Sequence, residues 1–137
     1  RGMSLLLSLL IGVEAASGTS LPIEAAEPVG SYLACLYDPV ERVLTSGQPK
    51  EKSARSAIVS QELARCSGTR TAVANQIDQR MAALPAWKDS SARKVRIEAV
   101  LGAMDRQYRF MVVEREKFIE LSHAYEKCVE EKGLDKC

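Results

Sequence analysis

The sequence predicts an all-α protein, a disulfide-stapled helical hairpin or small helical bundle with one long C-terminal helix. Three observations lead there. Apolar residues recur at alternating steps of four and three over two long segments, the period of a helix face and not of a strand. Four cysteines occur without a CxxC pair, so disulfides are expected in place of zinc or thioredoxin-type chemistry. A chain of 137 residues with 46% hydrophobic residues and formal net charge +1 suits one ordinary core, and argues against disorder, collagen or a multispan membrane protein.

The N-terminal run Leu5 to Val13, LLLSLLIGV, is followed by Val13-Glu14-Ala15, which resembles an A-x-A-like cleavage site. Residues 1–15 are read as a signal peptide with the mature chain starting at Ala16, or else as a retained apolar segment. The run falls far short of the roughly 20 apolar residues a membrane span needs, so no integral membrane segment is expected. An export signal places the protein in the periplasm or outside the cell, where disulfides form. Residues 16–30 are small, carry two prolines and show no period, and are read as a flexible leader before a single helical domain, 31–137.

Within that domain, Asp38-Pro39-Val40-Glu41 offers an N-cap, a proline at the first helical position and an acid at N3, predicting a short helix to about Thr45. Ser46-Gly47-Gln48-Pro49 reads as a turn. Val59, Leu63, Cys66, Arg70, Val73, Ile77, Arg80 and Leu84 then form one helix face over about 51–84, with Ser67-Gly68-Thr69 as a place for a kink or break near Gly68. Pro85-Ala86-Trp87 turns the chain, and Ser90 or Ser91 is expected to cap a helix running to Lys132. Its stripe of Ile97, Leu101, Met104, Tyr108, Met111, Arg115, Phe118, Ser122, Tyr125 and Val129 is the strongest periodic signal in the chain. Continuous helices over these two spans would be about 51 and about 63 Å long, so either the hairpin is elongated or both arms bend, near Gly68 and Gly102. Gly133 follows as a C-terminal stop.

Folding the chain back at Pro85-Ala86 brings the helix after Asp38 onto the segment after Pro49, which pairs Cys35 with Cys66; the few residues beyond Gly133 reach back one turn to pair Cys128 with Cys137. Loop-closure entropy assigns these bridges about 3.7 and about 2.7 kcal/mol.

Catalytic signals are missing: no GxGxxG, GxxxxGK[ST], HExxH, GxSxG or CxxCH occurs, and a single histidine leaves no triad and no multi-histidine metal site. Glu120, His123 and Glu126 fall on one exposed helix face without a fourth ligand and read as solvated. No catalytic residue, metal or cofactor is therefore expected. Arg115 interrupts the apolar stripe and is expected to be buried against a carboxylate or an anion; Arg70 and Arg80 interrupt the other stripe. Residues 41–117 hold 15 bases and nine acids, but pairs such as Asp89 with Arg93, Lys94 with Glu98 and Asp105 with Arg109 suggest a solvated helix surface. Near-neutral charge and 5% aromatic residues argue against nucleic acid.

The expected function is an exported binding module that engages a protein partner or self-associates through the broad apolar face of the long helix, marked by Val112, Ile119 and Leu121. The alternative is a carrier holding a small anionic or amphipathic ligand in a groove lined by Arg70, Arg80 and Arg115.

Overall fold

The computed structural model describes residues 20–46 and 49–137, with backbone alone for 38–46. The expected signal segment and Gly47-Gln48 of the expected turn lie outside the described residues. Among the described residues the fold is an all-α small bundle of five helices: α1 Val29–Ser46, α2 Lys52–Arg65, α3 Ser67–Ala82, α4 Ser90–Val113 and α5 Arg115–Lys132. Short 3-10 turns at Ile23–Ala25, Pro85–Trp87 and Leu134–Lys136 precede α1, join α3 to α4 and follow α5.

The helices form two bent arms lying antiparallel. Arg93 near the start of α4 pairs with Asp78 near the end of α3 at 2.7 Å, and Val113 at the end of α4 meets Arg55 near the start of α2 at 3.0 Å. Each arm bends at one residue. At Cys66 the backbone ladder survives, with Cys66 N–H donating to Glu62 and Arg70 N–H to Cys66, both at 2.9 Å. The bend falls where the expected break lay, two residues before Gly68, because the Cys35–Cys66 bridge holds this point to α1.

The long C-terminal helix is a correction. It divides at Glu114 (φ −99°, ψ 42°), and Gly102 sits inside an uninterrupted α4. Arg55 explains the position: its Nη2 donates to the Val113 carbonyl, and a side chain inserted at a ladder carbonyl is a recognised cause of a sharp bend. Asp89, not Ser90 or Ser91, caps α4, accepting from the N–H groups of Ser91 and Ala92 at 2.8 and 3.3 Å.

The start of the chain corrects the sequence reading too. Residues expected to form a flexible leader are ordered from Ser20: Ala25 and Pro28 are buried, Leu21 packs on the core, and Arg96 reaches the Ser20 carbonyl at 3.3 Å. The segment lacks periodicity because single side chains, not a face, anchor it. Helix α1 then begins at Val29 and buries Tyr32 and Leu36 one turn apart, so Pro39 falls inside the helix and not at its first position. Proline has no N–H for the Cys35 carbonyl, the acceptor four residues back. Arg65 replaces it, donating from Nη2 at 2.8 Å, beside the disulfide.

The core lies where α1, α2, α3 and α4 meet. Val59, Val73, Ile77, Met81, Ile97, Leu101, Met104, Tyr108 and Met111 are buried, with Tyr37 edge-on to Tyr108 at 5.7 Å between ring centroids. Beyond Glu114 the same stripe continues through Phe118, Tyr125 and Val129, which are only partly buried: Phe118 packs on the edge of the core, and α5 otherwise packs mainly on the end of α4 and on its own C-terminal turn.

Candidate functional site

The two cysteine pairs are placed as expected. Cys35 and Cys66 have sulfurs 2.07 Å apart, and Cys128 and Cys137 have theirs 2.01 Å apart. The three arginines are not brought together. Arg70 donates from Nε to Asp105 at 3.1 Å and grips both Glu98 oxygens at 3.1 and 3.2 Å. Burial tends to lower its pKa, but these carboxylates outweigh that effect and raise it. Asp105 also accepts from the buried Tyr32 hydroxyl, so a chain of contacts ties α1, α3 and α4 together. Burial first, and then this hydrogen bond to a carboxylate, push the Tyr32 phenol well above its ordinary value. Arg80 instead pairs with Glu27 near the start of α1. Arg115 opens α5 only partly buried, with Nε enclosed and unpaired, and forms no ion pair with a described carboxylate. The bend takes the stripe out of the core one residue before Arg115.

A groove of about 470 Å³ does run between α3 and α4, past Arg70, Asn75, Asp78, Lys94 and Glu98. Its charges are mixed: Asp78 is held by Arg93 and Glu98 by Arg70, and Lys94 lines it without an ion pair among the described residues. The expected pairs within α4 are likewise replaced: Arg93 pairs with Asp78, Glu98 with Arg70, and Asp105 with Arg70. Among the described residues no group of three His, Cys, Asp or Glu side chains is placed to hold a metal ion, and His123 with Glu120 and Glu126 stands exposed.

Sequence reasoning missed Arg55. It is 3% exposed, donates to the carbonyls of Pro49, Lys50 and Val113, and approaches the Glu116 carboxylate at 3.4 Å. One turn earlier, Lys52 Nζ contacts both Glu114 oxygens at 2.9 and 3.0 Å and holds that carboxyl below the usual range. Together they clamp the α4–α5 joint. The signal was available: Arg55 stands four residues before Val59, on the same helix face.

Past this clamp α5 leaves the bundle. Val112, expected on it, is 2% exposed and belongs to the core, again because the bend comes after it. Ile119 and Leu121 are 38% and 57% exposed, and Leu134 on the following turn is 59% exposed. Phe118, Tyr125, Cys128 and Val129 are partly buried, and with Leu121 they occupy about a third of the helix circumference. Gly133, at φ 85°, lets the last residues double back so that Cys137 meets Cys128. Compared with known proteins, the chain matches no family model, no curated protein and no solved structure.

Proposed function

We propose that this chain is an exported, non-enzymatic helical binding module whose contact surface is α5 with its stapled tip. One observation carries the reading. The first four helices carry the core, whereas α5 has no fully buried side chain, touches the core through Phe118 at its start, and leaves Leu121, with Leu134 on the turn after it, more than half exposed. Apolar side chains gathered on one projecting helix mark an interaction site more often than a tolerated surface. The Cys128–Cys137 bridge fastens the far end of that helix, outside the core of the bundle. Export is supported by the two cysteine pairs at bonding distance.

A photo-crosslinking residue placed at Leu121, and separately at Val95, an exposed apolar position on α4, tests the reading in the producing cell. A discrete adduct from position 121 alone is expected. Equal labelling from both positions, or none from either, overturns it.

A further inference from the structure

We infer that the occupant of the α5 surface is the α5 of a second copy of this chain, lying antiparallel across Ala124. The inference rests on α5 being the contact surface and adds what sits there and in which direction. Phe118, Leu121, Tyr125 and Cys128 step by three, four and three, the spacing of a two-helix seam; Phe118 at one end also packs on the bundle core and Cys128 at the other is bonded to Cys137, so Leu121 and Tyr125 are its open middle. Beside that seam Lys117, Ala124 and Glu131 lie along one line of the helix, each seven residues from the next, and all three are exposed.

Charge order along this line selects the occupant. In an antiparallel pair with its two-fold axis at Ala124, Lys117 of each copy faces Glu131 of the other, so two opposite-charge contacts flank the seam. A parallel pair would instead set Glu114 against Glu114 and Lys132 against Lys132 and bring neither Lys117 nor Glu131 to an opposite charge. The small side chain of Ala124 lies at the axis, where the helices approach most closely. Leu121 then packs against Tyr125 of the other copy, beside its Cys128–Cys137 bridge. The present partners of the two charged groups are loose: Lys117 lies 3.7 Å from Glu114 and Glu131 lies 3.9 Å from Lys127, all on the surface. Each can turn to a facing charge at little cost.

A seam one 18-residue helix long is small against a standard interface, so the pair is weak, forming between about micromolar and about millimolar protein. Sedimentation equilibrium on the full chain with both disulfides intact, checked for helicity by circular dichroism, reads it. Wild type should pass reversibly from monomer to dimer, and Leu121→Asp should remain monomeric. Lys117→Glu and Glu131→Lys should each weaken association at least about fivefold, since two attractive contacts become repulsive. An equimolar mixture of those two variants should recover wild-type strength within about twofold, because each then meets its complement. A mixture no tighter than its separate components overturns the antiparallel register, and a wild type that stays monomeric at millimolar concentration overturns self-pairing. Both failures are distinguishable from failure of α5 as the contact surface, because the contrast between positions 121 and 95 in crosslinking stands apart from them. An adduct from position 121 whose mass is not that of two copies assigns the surface to another protein and overturns the second-copy occupant.

Discussion

The bundle of α1 to α4 and the projecting α5 are built from the same residue types at the same spacing, yet one is a core and the other a surface. The stripe through Ile97, Leu101, Met104, Tyr108 and Met111 is buried, while its continuation through Phe118, Tyr125 and Val129 is not. Periodicity therefore specifies a helix with an apolar side; whether that side is covered depends on how far neighbouring helices extend. Here α2 begins at Lys52 opposite Glu114, and α5 packs mainly on the end of α4 and on its own C-terminal turn. The two regions differ in stapling as well. Cys35–Cys66 joins α1 to the bend between α2 and α3, whereas Cys128–Cys137 joins α5 only to its own tail.

The largest expected effect separates the two bridges. Replacing Cys35 and Cys66 together by Ser should lower unfolding free energy by about 3–4 kcal/mol, because the bridge closes a long loop and pins three helices. The same change at Cys128 and Cys137 should leave the urea midpoint of the bundle almost unmoved and speed amide exchange in the last turns of α5. Equal losses in the two variants would show that α5 unfolds as one unit with the bundle.

Next comes the joint. Arg55→Met should cost about 2–4 kcal/mol in urea denaturation, since three carbonyls lose their donor and the Glu116 carboxylate its buried partner. Spin labels on α2 and α5 should then report a broader distribution of distances than in the wild type. An unchanged distribution would mean that the bend belongs to the α4–α5 backbone alone.

A smaller effect tests the bundle interior. Tyr32→Phe removes one donor from Asp105 while Arg70 still pairs with it, so a loss of about 1 kcal/mol is expected at neutral pH. Alkaline titration gives the same comparison another reading. Burial, and secondarily the nearby Glu62, pushes the Tyr108 phenol up to about 12, and Tyr32 is raised as well. A raised folded pKa favours the protonated phenol in the folded state. The corresponding stability is complete below about pH 10, where unfolded tyrosine titrates, and fades as pH rises towards about 12. Absorbance of the ionised phenol should therefore show Tyr32 and Tyr108 ionising above the ordinary tyrosine range, together with loss of helicity. The smallest effect is Leu121→Ala, expected to shift stability by less than about 0.5 kcal/mol because that side chain is already 57% exposed.

Much of the fold was legible from local signals. The all-α class, both cysteine pairs and the faces holding Val59, Val73, Ile77 and Leu101 follow from spacing alone, and the structure agrees. What escaped depends on contacts between distant residues. The Asp38-Pro39 signal is that of a helix start, and only Arg65, 26 residues after Pro39, makes the proline tolerable inside α1 by serving the Cys35 carbonyl. Gly102 is a weak helix former, yet Arg55 places the bend at Glu114 by drawing on the Val113 carbonyl. Charges read as neighbours along α4, such as Asp105 with Arg109, join helices instead, because a carboxylate between two helices gains a partly buried partner in Arg70. Of the surface residues, Ile119 and Leu121 were legible as apolar, but Val112 shares their pattern and lies inside.

The single-residue joint at Glu114 also gives the molecule leverage. Helix α5, 18 residues long, extends about 27 Å from it, so each 10° or so of rotation at the joint sweeps the disulfide-closed tip through about 5 Å. One end of the clamp is the buried Arg55 guanidinium, and the other is the Lys52–Glu114 pair, whose side chains are 60% and 28% exposed. Dissolved salt screens the second far more than the first. Ionic strength thus becomes a means of aiming the arm: its root stays gripped while the setting of its tip relaxes.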